Sequence, residues 1–88
     1  MNNLLIEPKM LENASEEFKQ AGVDLQEILK KLDETTGGLK DQWEGAAQQT
    51  FYKQYKELRQ YMEGFSILLG HISTEMNAMA ERYSKADH

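Results

Sequence analysis

The chain has 88 residues, a net charge of −5 and a pI near 4.9, which is consistent with one small domain. Ten Lys and Arg residues are scattered among fifteen acidic residues, so we expect no binding to nucleic acid or to anionic membranes. No apolar run approaches the ~20 residues of a membrane-spanning helix, so no direct membrane insertion is expected. The absence of cysteine excludes disulfides, thiol nucleophiles and thiolate metal sites.

The N-terminal stretch contains only a short apolar run, Leu4, Leu5 and Ile6, with no basic segment before it. This run is too short for the apolar region of a signal peptide. If the protein is exported, we therefore expect a route that does not use a cleaved signal peptide.

The first half of the chain carries the apolar period of a helix. From Leu11 onward the apolar positions are separated by three and then four residues, which is typical of one helix face. Pro8 suits the first helical position, where its missing N–H has no intrahelical role. The pattern predicts a helix over about 8–42. The positions of this pattern are Leu11, Ala14, Phe18, Ala21, Leu25, Ile28, Leu32, Thr35 and Leu39, of which only Thr35 is not apolar.

The second half of the chain shows the same alternation and predicts a helix over about 46–84, followed by a short tail, 85–88. Gly64 and Gly70 weaken this helix by about 1 kcal/mol each relative to Ala, which packing must offset. Its apolar positions are Phe51, Tyr55, Leu58, Met62, Phe65, Leu69, Ile72, Met76, Met79 and Tyr83.

A turn is predicted at Trp43-Glu44-Gly45. Gly37-Gly38 is the stronger helix breaker by propensity, but Leu39 beyond it keeps the heptad phase of the first helix. Phe51 begins the second helix in a different phase, so the break lies between these two residues. Gly45 is the residue there that can adopt positive φ, and Gly37-Gly38 is interpreted as a soft or bent end of the first helix.

Both apolar stripes are wider than the contact between two helices requires, with about three apolar positions per heptad. We therefore predict an all-α fold, an antiparallel helix-turn-helix hairpin that dimerises into a four-helix bundle. The predicted core of hairpin and dimer consists of Leu11, Phe18, Leu25, Ile28, Leu32, Leu39, Phe51, Leu58, Met62, Phe65, Leu69, Ile72 and Met76. No polar residue that would fix partner choice is expected within these contacts, so a homodimer is favoured over a heterodimer with a sister chain.

No catalytic or metal-binding arrangement is recognisable. The two histidines are His71, favoured as a surface residue over a ligand or base, and His88 at the last position. A di-metal four-helix site needs inward Glu residues and Glu-x-x-His pairs. Position 68, three residues before His71, is Leu rather than Glu, so this pair is absent. Acidic pairs such as Asp33-Glu34 fall outside the stripes and are expected on solvated faces. We predict a protein that is not an enzyme and has no cofactor or metal.

The turn motif between two heptad-patterned helices, in a short chain without cysteine, resembles the WXG-hundred (ESAT-like) family of small secreted proteins. The resemblance covers essentially the whole chain. The run Asp41-Gln42-Trp43-Glu44-Gly45-Ala46-Ala47, followed by Phe51, is similar to the Gram-positive homodimeric branch. The resemblance implies a type VII secretion substrate, made in the cytoplasm of a Gram-positive bacterium. It also implies export as a folded dimer by a membrane-bound secretion ATPase, without a cleaved signal peptide.

The resemblance also implies functional residues. The family tends to carry Tyr-x-x-x-Asp/Glu near its C terminus, and Tyr83 and Asp87 match that spacing as a C-terminal secretion signal. Trp43 and Gly45 match the turn motif, and an antiparallel dimer would bring each turn close to the signal of the other subunit. The alternative interpretations are that Trp43 only covers the end of the bundle and that Asp87 is frayed tail.

The implied function is that of a secreted carrier or adaptor, or a virulence-associated factor, that acts through protein–protein interaction. The alternative is a cytosolic helical adaptor or chaperone-like partner of a larger secreted protein. Appearance of the intact chain in culture supernatant, dependent on Tyr83 and Asp87, separates the two hypotheses.

Overall fold

Two long helices make up the fold of the chain. The computed structural model describes residues 7–39, 42–43 and 45–86. Helix α1 spans Pro8–Leu39 and helix α2 spans Ala46–Ala86. The helices pack side by side in opposite directions, and the hairpin measures 65 × 18 × 17 Å. This arrangement confirms the predicted all-α antiparallel hairpin.

The helix ends compare with the expected ones as follows. Helix α1 spans Pro8–Leu39 and continues through Gly37-Gly38, whereas residues 40–41, just before its predicted end, lie outside the described residues. Helix α2 extends to residue 86, so the first two residues of the predicted tail are helical. Three residues of the sequence motifs lie outside the described residues: Asp41, Glu44 and Asp87.

The buried contact between the helices is lined mainly by small and hydroxyl-bearing residues at a spacing of seven, with Leu29 as a large apolar member, and we call this contact the hydroxyl seam. Ser15 Oγ donates a hydrogen bond to the Ser73 carbonyl oxygen at 2.9 Å, and the two Oγ atoms are also 2.9 Å apart. Ser66 Oγ donates to the Gly22 carbonyl oxygen at 3.3 Å. The hydroxyl seam comprises Ser15, Gly22, Leu29 and Thr36 of α1 and Ser66, Ser73 and Ala80 of α2.

The register of the hairpin is centred on position 44. Ser15 and Ser73 lie equally far from this position, and so do Gly22 and Ser66. Residues that are equidistant from the turn therefore face each other along the length of the two helices. This is the relation expected of two antiparallel helices joined by a short turn.

The hydroxyl seam is displaced from the predicted core. Of the predicted core residues, Leu11 is buried, eight are half-buried, and Ile28, Leu39, Leu58 and Phe65 are exposed in the hairpin. The helix contacts within the hairpin hold buried polar residues, which the spacing of apolar residues in the sequence does not indicate. Small hydroxyl side chains allow the helices to approach closely and satisfy one another's hydrogen bonds, so the larger apolar side chains lie beside the contact. The buried polar residues are Ser15, Thr36, Ser66 and Ser73.

The large apolar side chains share one side of the hairpin, which we call the apolar face. On each helix these residues lie about a quarter to a half turn from the hydroxyl seam, in the same rotational sense. In an antiparallel pair, equal rotation away from the contact places both sets on one face. The exposed members of the apolar face are Met10, Ile28, Leu39, Leu58, Tyr61, Phe65, Leu68, Met79 and Tyr83.

Two glycines provide a test of the close approach of the helices. A Cβ atom on Gly22 would lie 3.5 Å from the Ser66 carbonyl oxygen and 3.7 Å from Leu69 Cβ, whereas one on Gly64 would meet nothing within 4 Å. Gly22→Leu should lower the free energy of unfolding by about 1–3 kcal/mol, because the longer side chain has to separate the helices. Gly64→Leu, the matched control, should raise it by up to about 1 kcal/mol through helix propensity. Urea unfolding followed by circular dichroism at one protein concentration measures both, and equal effects would contradict the close contact.

Candidate functional site at the hinge

The backbone of the turn depends on Gly45. Its φ is 85°, in the left-handed region that favours glycine. Its carbonyl oxygen accepts a hydrogen bond from the Gln49 backbone N–H at 3.2 Å, which begins the hydrogen-bonding of α2. No atom lies within 4 Å of the position that a Cβ would occupy, so the conformation rather than the space requires glycine here.

The indole of Trp43 is half-buried against the first turns of α2. Its ring centroid lies 5.0 Å from that of Phe51, with the planes inclined at 45°. Phe51 in turn stacks on Tyr55 at 6.1 Å and 9°, and it meets Tyr52 edge-on at 5.4 Å and 75°. These distances fall in the range of favourable aromatic pairs, each of which contributes about 0.5–1.5 kcal/mol beyond simple burial. The cluster leaves part of the Trp43 ring open to solvent.

Two tyrosines of this cluster reach across to α1. The Tyr52 hydroxyl donates to the Thr36 carbonyl oxygen at 2.8 Å, in the last turn of that helix. The Tyr55 hydroxyl donates to Asp33 Oδ1 at 2.5 Å. The aromatic cluster is therefore tied by hydrogen bonds to the end of α1 as well as packed on α2.

Asp33 also forms a bidentate ion pair with Arg59. Arg59 Nε donates to Asp33 Oδ1 and Arg59 Nη2 donates to Asp33 Oδ2, both at 2.9 Å. Arg59 Nη1 contacts Glu63 one turn further along α2. Both side chains of the Asp33–Arg59 pair remain about 40% exposed, so solvent screens their attraction.

The ionisation of the pair follows from these contacts. Hydrogen bonds from Arg59, and then from Tyr55, lower the pKa of the Asp33 carboxyl from 3.8 to about 2. The hydrogen bond to Asp33 raises the pKa of Arg59. Burial, followed by the hydrogen bond to Asp33, raises the pKa of the Tyr55 phenol. At neutral pH the group is thus a fixed ion pair with a neutral phenol, which suits structural anchoring rather than proton transfer.

The second predicted element lies far from the hinge within one chain. Tyr83 is exposed near the C-terminal end of α2, and Asp87 lies outside the described residues. At ~1.5 Å per helical residue, Tyr83 is roughly 56 Å along α2 from its start at Ala46. A single hairpin therefore does not bring Trp43 and Tyr83 together.

The surface at the open end of the hairpin is polar. A cleft of ≈ 460 Å³ lies there between the first turns of α1 and the last turns of α2. Within residues 7–39, 42–43 and 45–86, no group of three or more His, Cys, Asp or Glu is arranged to hold a metal ion. In the same part of the chain, neither helix is long and apolar enough to cross a membrane. The cleft is lined by Lys9, Glu12, Asn13, Glu16, Asn77, Ala80 and Glu81.

Comparison with protein families agrees with this architecture. The model of the family described as "Proteins of 100 residues with WXG" matches residues 3–88. The chain belongs to the WXG100 family. This confirms the resemblance noted from Trp43-Glu44-Gly45 and the two heptad patterns.

Individual WXG100 relatives and solved structures cover nearly all of the chain. Type VII secretion system extracellular protein A of Staphylococcus aureus is 26% identical over 87 residues, which are 99% of this chain and 90% of that protein. A crystal structure of EsxB, a secreted protein of Bacillus anthracis, matches with a TM-score of 0.88 at 28% identity and covers 100% of both chains. EsxA of Geobacillus thermodenitrificans matches with a TM-score of 0.85 at 26% identity, covering 93% of this chain and 89% of that one.

The interhelical ion pair was not predicted from the sequence. Asp33 was expected on a solvated face, but the structure places it between Tyr55 and Arg59. One signal was available, since Asp33 and Tyr55 are equidistant from position 44. That signal has meaning only once the turn position and the antiparallel pairing are known.

The ion pair predicts an acid-sensitive contribution to stability. Because folding lowers the pKa of Asp33 from 3.8 to about 2, its carboxylate stabilises the fold above pH ~4, and this contribution is lost as the pH falls towards ~2. Asp33→Asn should therefore lower the urea midpoint at pH 5–7 and converge with the unsubstituted protein near pH ~2.

Urea unfolding followed by circular dichroism between pH 2 and 7 measures this difference. Asp24→Asn, on the exposed side of α1, is the matched control and should show a smaller difference from the unsubstituted protein. A constant offset between Asp33→Asn and the unsubstituted protein at all pH values would contradict the assignment.

Proposed function

We propose that this protein is a substrate of a type VII secretion system, exported as a folded dimer, and that it acts outside the cell as a carrier or adaptor. The observation that carries the proposal is the membership of the WXG100 family across residues 3–88. It is supported by the full-length similarity to a staphylococcal protein named as an extracellular protein of that system. The protein is made in the cytoplasm of a Gram-positive bacterium and leaves without cleavage of a signal peptide.

The apolar face supports a homodimer. Tyr61, Phe65 and Leu68 project from α2 with 78%, 60% and 54% of their surface exposed. Monomeric proteins rarely expose a contiguous apolar patch larger than a few hundred Å². A second copy offers the same patch, and a two-fold axis pairs such a surface with itself. Packing the two faces together completes a four-helix bundle.

An antiparallel dimer also unites the two functional elements. Trp43 lies at the closed end of the hairpin and Tyr83 lies close to the open end, roughly 56 Å away at ~1.5 Å per residue. When the second hairpin runs in the opposite direction, each Trp43 lies beside Tyr83 of the partner subunit. The half-exposed indole and the Tyr83/Asp87 signal then form one composite surface, which is recognised by a membrane-bound secretion ATPase.

The first test separates export from folding. Trp43→Ala should reduce the amount of protein in the culture supernatant several-fold. It should lower the free energy of unfolding by only about 1–2 kcal/mol, because one aromatic contact and a partly buried side chain are lost. Trp43→Phe keeps an aromatic ring against Phe51 and is the stability control. Equal loss of folding and of export would leave Trp43 a structural role only. Normal export of a folded Trp43→Ala protein would contradict the composite surface.

The second test asks whether the composite surface spans two subunits. Trp43→Ala and Tyr83→Ala chains, each with a different small tag, are expressed separately and together in a secreting strain. A mixed dimer retains one intact surface, because one chain supplies Trp43 and the other supplies Tyr83. Co-expression should therefore restore export of both tagged chains, whereas each chain alone should be exported several-fold less than the unsubstituted protein. Failure of rescue despite recovery of the mixed dimer from the cytosol would contradict the two-subunit surface.

A further inference from the structure

We propose that Asp33 and Arg59 are positioning residues for Trp43, acting through a ladder of contacts that runs from Arg59 and Asp33 through Tyr55 and Phe51 to the indole. The ladder sets how much of the indole is exposed at the hinge. Only the consequence for export rests on the proposed secretion function; the effect on the indole itself is independent of it.

The first step of the ladder is the contact between Trp43 and Phe51. Trp43 lies between the end of α1 at Leu39 and the start of α2 at Ala46. The ring of Phe51, 5.0 Å away, supplies a packing surface for the indole. A change in the orientation of the Phe51 ring therefore alters the surface against which Trp43 packs.

The second step fixes the plane of the Phe51 ring. Tyr55 lies one turn further along α2 and stacks on Phe51 with an interplanar angle of 9°. A nearly parallel stack loses contact area when either ring rotates, so the plane of Tyr55 sets the plane of Phe51. The Tyr55 hydroxyl, at the far end of its ring, is in turn held by Asp33 at 2.5 Å.

The third step holds the acceptor of that hydrogen bond in place. Two nitrogens of the planar Arg59 guanidinium donate hydrogen bonds to the two Asp33 carboxylate oxygens. This bidentate contact fixes the plane of the carboxylate as well as its position. The aspartate therefore presents Oδ1 to Tyr55 in one orientation. When Asp33 loses its charge, Arg59 retains Glu63 as a partner, and Tyr55 loses a strong acceptor.

The pair is suited to positioning more than to overall stability. Both partners are about 40% exposed, and ion pairs exposed to this extent typically contribute about 0–1 kcal/mol. The two-pronged geometry nevertheless restricts orientation strongly. Removal of the Asp33 charge should therefore leave the hairpin folded while releasing the aromatic ladder, so the two roles can be measured separately.

Intrinsic fluorescence gives a direct readout, because Trp43 is the one tryptophan of the 88-residue chain. The full-length protein and its Asp33→Asn and Tyr55→Phe variants are compared by acrylamide quenching and by emission wavelength at pH 7. Both variants should increase the quenching constant about twofold and shift the emission to the red, since a half-buried indole becomes largely exposed. Tyr55→Phe keeps the stacked ring and removes only the hydroxyl, so it isolates the hydrogen bond to Asp33.

Matched controls exclude general loosening of the fold. Asp24→Asn removes the charge of an aspartate on the exposed side of α1 that accepts a hydrogen bond from Gln20, and its quenching should equal that of the unsubstituted protein. Circular dichroism and sedimentation confirm that each variant keeps its helix content and its mass. Unchanged quenching in both folded Asp33→Asn and Tyr55→Phe would overturn the proposal, and should Asp33→Asn unfold, Tyr55→Phe alone decides.

The same variants separate this inference from the proposed function. Increased quenching with reduced export supports both. Increased quenching with normal export supports the positioning of Trp43 by Asp33 and contradicts a requirement for this position of the indole in secretion. Unchanged quenching contradicts the positioning, whatever the amount of protein exported.

Discussion

Small side chains, three of them serines, occupy most of the buried contact between α1 and α2, and this constraint decides where most of the large apolar residues lie. Ser15 is completely buried, and Ser66 and Ser73 are nearly so. The large side chains are consequently displaced to the apolar face, where a single hairpin leaves many of them exposed. Among the described residues the buried hydrophobic side chains are Leu11, Leu29 and Ala80. A buried leucine contributes only ~1.5–3 kcal/mol, so the interior of one hairpin is a small source of stability.

The hydroxyl seam contributes register as well as proximity. Within the described residues, no buried side-chain nitrogen or oxygen atom lacks a hydrogen-bond partner. A slip of one helix along the other by about one turn would separate Ser15 from Ser73 and Ser66 from Gly22, leaving buried groups unpaired at a cost of about 1–3 kcal/mol each. Apolar contacts alone tolerate such a slip much better. The same register brings Asp33 to Tyr55, so the geometry around Trp43 depends on pairings made along the whole hairpin.

The sequence predicted the two helices, the turn and the family, because each of these has a local signal. Heptad spacing of large apolar residues identifies helices, and Gly45 in the Trp43 triplet identifies the turn. The contact within the hairpin has no such signal, since Ser15, Gly22, Ser66 and Ser73 do not stand out by hydropathy. The ion pair of Asp33 and Arg59 depends on a register that only the packed helices reveal.

We infer that a second copy of the chain covers the apolar face of this hairpin. Sedimentation equilibrium over a wide range of micromolar concentrations, combined with thermal unfolding at the same concentrations, tests it most directly. We expect a mass about twice the 10.2 kDa of one chain and an unfolding temperature that rises with concentration, because the dimer is favoured at higher concentration. A mass of 10.2 kDa at every concentration, with a cooperative unfolding transition that does not move, would contradict it.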